Sequence, residues 1–107
     1  MAHHTLTLNY LPNGDFRPGT DVLRVNNGDT ISFTLGTAPP KSTFLITLDP
    51  KLFSPAEVKD SHTRVTVVKA EHSKLQCQLF DESGNFLTSG HQSGTQVEPD
   101  TKAGAHA

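Results

Sequence analysis

Tryptophan is absent from this chain, and cysteine, tyrosine and methionine occur once each among its 107 residues. A lone cysteine closes no intrachain disulfide, so the fold has to be held by packing. The nine lysines and arginines face eleven acidic residues, for a net charge of −2. Such a balance gives no basic field for nucleic acid. No apolar run approaches the ~18 residues of a membrane-spanning helix, so membrane insertion is not expected. No apolar signal core follows Met1, which leaves the cytoplasm or, after removal of a signal, the periplasm open. Phosphate loops, HExxH helices and nucleophile elbows are missing too. Asp60-Ser61-His62 holds the residue types of a hydrolytic triad, but neighbours on an extended chain point to opposite faces. No enzyme is expected.

What the chain does have is alternation. Apolar residues are only 34% of it, yet they recur with period two in short runs. Thr5 to Tyr10 puts Leu6, Leu8 and Tyr10 on one face. Val22 to Val25 is a short run. Asp29 to Leu35 points Ile31, Phe33 and Leu35 one way, and Ser42 to Leu48 does so with Phe44, Ile46 and Leu48. His62 to Lys69 carries Val65 and Val67, and Lys74 to Phe80 carries Leu75, Cys77 and Leu79. Phe86-Leu87 and Val97 complete seven or eight short strands. Between them stand Asn13-Gly14, Asn27-Gly28 and Glu82-Ser83-Gly84-Asn85, which suit tight hairpin turns. Pro39-Pro40 and the stretch from Pro50 to Pro55 exclude central strands. Ser54-Pro55-Ala56-Glu57 reads as one helical turn, capped by the serine. The pattern predicts an all-β fold: a single antiparallel Greek-key β-sandwich over residues 1–98, with a flexible tail over 99–107.

Two stretches resemble a known family. "VNNGDTISFTL" is similar to the Val-x-x-Gly-Asp-x-Ile-x-Phe hairpin of cupredoxins. "SHTRVTVVKAEHSKLQCQLF" resembles their alternating strand, turn and strand ending at the cysteine ligand, and "GHQSGTQVEP" their closing segment. Glu71-x-Ser73-x-Leu75-x-Cys77 resembles an immunoglobulin-type strand nearly as well, although leucine replaces the tyrosine and the partner cysteine is missing. Either resemblance implies the same sandwich class.

A cupredoxin would bring copper, held by two histidines, a cysteine thiolate and a weak axial ligand such as methionine. Here the early histidine's position, near Ser42 to Phe44, holds none, and the lone methionine is Met1. His62 and His72 flank strands among charged residues and read as solvated turn residues. Cys77, in phase with Leu75 and Leu79, reads as a small buried hydrophobe. "DESGN" has alternate oxygen side chains but neither the glycine nor the closing glutamate of a calcium loop. Met1-Ala2-His3 matches the spacing at which a free amino terminus wraps copper(II) or nickel(II), but an ordinary chain start is the stronger reading.

Two functions follow. The first is a cofactor-free binding or assembly module whose partner is another protein, met through loops or an edge strand. Its candidate surfaces are "GTAPPK" with Pro39 and Pro40, "PKLFSPAEV" with Leu52 and Phe53, and the tip "DESGNF" with Glu82, Asn85 and Phe86. Leu52 and Phe53 are either tucked onto the core or offered to the partner. Strand Thr5 to Tyr10, with few charges, makes a homodimer through a sheet edge conceivable. The alternative is a small copper redox or metal-binding protein using Cys77, His91 and His72.

Overall fold

The computed structural model describes residues 1–87 and 95–100 and is all-β. Eleven short strands follow one another: β1 (His3–Tyr10), β2 (Phe16–Pro18), β3 (Val22–Val25), β4 (Thr30–Leu35), β5 (Thr43–Thr47), β6 (Phe53–Ser54), β7 (Glu57–Val58), β8 (Val65–Val67), β9 (Ser73–Lys74), β10 (Gln76–Phe80) and β11 (Gln96–Pro99). They form a five-stranded sheet, β2-β1-β4-β8-β6, and two three-stranded sheets, β10-β5-β7 and β3-β11-β9. Only Leu75 separates β9 from β10, so one run of chain joins the two smaller sheets. Of the sequential neighbours only β1 and β2 pair with each other; every other connection crosses over, as a Greek-key sandwich requires.

Alternation decides which side of each strand is covered. Leu6, Leu8, Ile31, Phe33, Phe44, Ile46, Val65, Val67, Leu75, Cys77, Leu79 and Val97 all enter one core cluster, with residues from all three sheets. Their neighbours Thr5, Thr7, Thr43, Thr66 and Gln76 stand exposed. Burying a large aliphatic or aromatic side chain contributes roughly 1.5–3 kcal/mol, and this cluster does the work that a disulfide does in smaller domains.

Four expectations need correction. Among the described residues eleven strands replace seven or eight, because β2, β6 and β7 are two or three residues long and lie within two residues of a proline, while Phe86-Leu87 makes only an isolated bridge to Phe80 instead of a strand. All three lie at sheet edges, where a missing N–H is tolerated. The sheets are mixed rather than antiparallel: β1 runs parallel to β4, from His3 opposite Thr30 to Leu8 opposite Leu35, and β11 runs parallel to β3. The stretch Ser54 to Glu57 is no helical turn. A cis Ser54–Pro55 peptide joins β6 to β7 in different sheets. The sandwich also reaches past residue 98, since Pro99 ends β11 and the Asp100 N–H donates to the Val25 carbonyl at 2.8 Å. The rest of the expected tail, 101–107, lies outside the described residues, as does His91.

Strand β1 is an open edge only in part. It pairs with β4 over His3 to Leu8 and with β2 over Leu8 to Tyr10, so among the described residues no strand lies opposite Thr5 on the β2 side.

The turns divide into two kinds. Asn13-Gly14 and Ser83-Gly84 close local hairpins, with Gly14 and Gly84 at φ near +88°. Asn27-Gly28 does not, although Gly28 also has positive φ: it passes the chain from β3 in one layer to β4 in the other. Asp29 fixes that crossing. Its buried carboxylate accepts hydrogen bonds from the Asn26 N–H, the Ala2 N–H and His4 Nε2, each at 2.9 Å. Burial alone would raise its pKa; the bonds from His4, Ala2 and Asn26 outweigh that and bring it from 3.8 down to about 2.

A carboxyl held that low contributes roughly 2 kcal/mol of stability. Because the folded value lies below the unfolded one, the contribution is full above about pH 4 and disappears as pH falls through 2. Asp29→Asn is therefore expected to lose about 1–3 kcal/mol at neutral pH. In denaturant melts repeated down the pH scale, its deficit against the parent protein should narrow below pH 4. A deficit that stays constant with pH would show that the carboxylate's charge is not what matters.

Candidate functional site

Strands β1 and β4 run in the same direction, so their ends gather the loops that follow them on one side of the molecule. Loop 36–42 leaves β4 and feeds β5, whose first residue, Thr43, pairs with Phe80 at the end of β10. The turn after β10 therefore stands beside loop 36–42. Tyr10, the last residue of β1, binds both: its N–H donates to the Thr37 carbonyl at 2.7 Å and its hydroxyl to the Leu87 carbonyl at 3.1 Å.

The tip 81–86 is built by Asp81. Its carboxylate accepts from the Ser83 and Asn85 N–H groups at 2.9 and 2.8 Å and from Asn85 Nδ2 at 3.2 Å. These bonds, led by the Asn85 N–H, hold its carboxyl below the usual range. Asn85 is thus spent inside the turn as much as shown at the surface. Phe86 bridges back to Phe80 and leans on it with ring centroids 5.8 Å apart, yet stays 50% exposed. On the facing loop Pro39 and Pro40 are exposed, and Ser42 Oγ donates to the Pro39 carbonyl at 2.6 Å. Lys41, at φ 60°, reaches Glu82 at 3.6 Å. A solvent-exposed pair of this kind contributes little stability, but it spans the two loops across a groove lined by Pro40, Lys41, Asp81, Glu82 and Ser83.

Five of the seven residues read as an interaction surface, Pro39, Pro40, Glu82, Asn85 and Phe86, thus stand at one end of the sandwich. Leu52 and Phe53 do not. They are 5% and 2% exposed, Phe53 pairs with Val67, and the Leu52 carbonyl accepts from the Val68 and Lys69 N–H groups. An apolar pair between prolines was also compatible with being offered to a partner; here it closes the core.

The residues of the copper alternative are not brought together among the described residues. Cys77 is 1% exposed in mid-strand, and burial, with the nearby Asp15 charge, pushes its thiol up to about 12. A thiol held protonated in the core is a poor ligand, since metals bind the thiolate. His72 stands at the surface, with Nδ1 3.9 Å from Glu98. Among the described residues no three of His, Cys, Asp and Glu are grouped so as to hold a metal ion. The cysteine of a cupredoxin ends its strand; Cys77 lies three residues before the end of β10, where Asp81 instead caps a turn. Among the described residues the donor set does not fit a blue-copper centre. The amino-terminal spacing is engaged as well: the Ala2 N–H donates to Asp29, and His3 Nδ1 and Nε2 bond Thr30 Oγ1 and Ser32 Oγ at 2.6 and 3.0 Å.

No family model and no curated protein matches this chain. A solved structure similar to it is a copper-containing nitrite reductase from Thermus scotoductus SA-01, 16% identical with a TM-score of 0.42. The match takes in 94% of this chain and 28% of that one, so the chain spans little more than a quarter of that enzyme's length. A likeness this slight carries no activity, ligand or metal across.

Copper(II) added to reduced protein is expected to give no absorption band and no melting shift that Cys77→Ser abolishes. The Cys77 thiol should react with a thiol reagent at pH 8 only as fast as the protein opens, and at once in denaturant. A Cys77-dependent band would return the metal reading.

Proposed function

We propose that this chain is a non-enzymatic binding module that engages another protein through the end of its sandwich formed by loops 36–42 and 81–87. The observation that carries this reading is Phe86. A large aromatic side chain 50% exposed on a turn fixed by three hydrogen bonds to Asp81 is ready to anchor a partner at little ordering cost. Prolines 39 and 40 beside it supply apolar surface on a backbone already stiff. The salt-bridged rim of Lys41 and Glu82 adds charge that can select a partner without adding much affinity.

With this goes a cupredoxin-like strand order rather than an immunoglobulin-like one. Immunoglobulin sheets are antiparallel, whereas here one strand pair in each layer is parallel. A loop-borne binding site on a sandwich whose core is closed suits either family, so the functional reading does not depend on that choice.

A photo-crosslinking residue placed at Phe86 is expected to trap a discrete protein adduct in cells of the source organism. The same residue at Thr66, on the outer face of the other layer, is expected to trap none. Melting temperatures of both should match the parent. Absence of an adduct at Phe86, or equal adducts at both positions, would sink this reading. An adduct of twice the chain's own mass would make the partner a second copy.

A further inference from the structure

The β10-β5-β7 sheet stops short on one side. β7 pairs with β5 only at Ile46 and Thr47, opposite Val58 and Glu57. The Leu48 N–H donates to the Ala56 carbonyl at 2.8 Å, so the even-numbered residues of β5 turn their N–H and C=O groups to this side. Ile46 meets Val58. The next residue to face that way is Phe44, and β7 has ended. Among the described residues no strand lies opposite Thr43 to Leu45 there.

The chain is led off this edge by Asp60. Its carboxylate accepts from the His62 and Thr63 N–H groups and from Thr63 Oγ1, all at 2.9 Å, which folds 60–63 into a turn of its own. Left beside the open edge is a groove of about 420 Å³ lined by Thr43, Phe44, Leu45, Lys59 and Phe80. Its floor is apolar, with Leu45 and Phe80 half-buried on the outer face, and its rim carries the exposed ammonium of Lys59. Arg64 is exposed on the same loop, and that loop's one carboxylate, Asp60, is engaged within it.

We infer that the β5 edge at Thr43–Leu45 binds an extended, acidic segment of a partner protein by strand addition, with its carboxylates toward Lys59 and an apolar side chain on Leu45 and Phe80. The main-chain pair of Phe44 gives such a segment two hydrogen bonds, and the groove gives its alternate side chains a place. Strand and groove together are what β-augmentation needs: backbone bonds for affinity, a pocket for choice. A second copy of this chain is the poorer occupant, because antiparallel pairing of two such edges brings one copy's Lys59 toward the other's, and a lysine beside an edge deters self-pairing. The inference rests on the binding-module reading above and deepens it: Phe80 belongs both to this groove and to the ring pair with Phe86.

The test uses the whole chain labelled with nitrogen-15 and an acetylated, amidated peptide of alternating valine and glutamate, about six residues long, the length of an ordinary strand. Added to millimolar concentration, it is expected to shift the amide signals of Thr43, Phe44, Leu45 and Lys59 and to slow hydrogen exchange at Phe44. The same peptide with alternate amides N-methylated should produce neither effect, since its edge cannot pair. Lys59→Glu, an exposed change that leaves the melt unaltered, should weaken binding about two- to fivefold, the effect of one rim charge. A valine–lysine peptide should bind less well than the glutamate one. No shift at millimolar peptide, or shifts that survive N-methylation, would overturn the inference. Shifts confined to 39–41 and 82–86 would overturn it while leaving the loop-end reading standing. Silence here together with no adduct at Phe86 would remove both. Amide shifts at Thr43–Leu45 that appear on raising protein concentration alone would assign the edge to a second copy and defeat the acidic-segment inference.

Discussion

The crossing between the two layers of this sandwich turns on one buried carboxylate. Asp29 receives the Asn26 N–H from the end of β3, the Ala2 N–H from just before β1, and His4 Nε2 from within β1, while its own carbonyl accepts from Val67 in β8. Three pieces of chain that are distant in sequence, 2–4, 26–29 and 67, are thereby held at one point. An uncompensated carboxylate there would be costly to bury; supplied with three donors, its ionised form is the stable one. The parallel register of β1 against β4 starts at this point, His3 opposite Thr30. Since a one-residue slip would turn every apolar residue of β1 outward, fixing the first pair fixes where Leu6 and Leu8 go.

That constraint also explains where a binding surface can be. At the Asp29 end, side chains and backbone are consumed by holding the layers together, His3 and His4 included. At the far end of β1 and β4, at Tyr10 and Leu35, the chain no longer has to define register. The loops there are held by bonds to their own backbone, through Asn9 to Thr37, Ser42 to Pro39 and Asp81 to Asn85. Bonds of this kind, two of them local and one from β1, order a loop without consuming its outward side chains. The opposite ends of one sheet thus differ: one is consumed by cohesion, and the other leaves Pro39, Pro40 and Phe86 exposed.

How much of this could be read from the residues depended on how local the cause was. The inward faces of β1, β4, β5, β8 and β10 are visible as alternation, because burial follows period two along a single strand. The turns at Gly14, Gly28 and Gly84 are visible because each requires a positive φ that glycine supplies. What Asn27-Gly28 connects is not visible: a turn dipeptide looks the same whether the strands it joins pair with each other or part into separate sheets. The short edges β6 and β7 escaped notice because two residues make no period and prolines 50 and 55 argue against strands. Leu52 and Phe53 gave the right residue types and no indication of side. Asp29 itself carries a signal, an acidic residue directly after a turn glycine, but two of its three partners are 25 and 27 positions away and no spacing rule reaches them. The gap beside Phe44 was equally hidden, being set by where β7 stops.

Cys77 shows how the same sandwich can part from the chemistry its pattern suggests. A cysteine that ligates a metal needs other ligands within reach of its sulfur and the metal's charge to stabilise the thiolate. Here three further residues, Gln78, Leu79 and Phe80, continue the ladder with β5 before the chain turns. Those extra pairs carry Cys77 opposite Ile46, into apolar surroundings that favour the neutral thiol. The strand end falls instead to Phe80 and Asp81, one with a half-covered ring and the other a turn-capping carboxylate. The ladder beyond Cys77 therefore sets the thiol among packed apolar residues and leaves the half-covered ring of Phe80 at the strand's end.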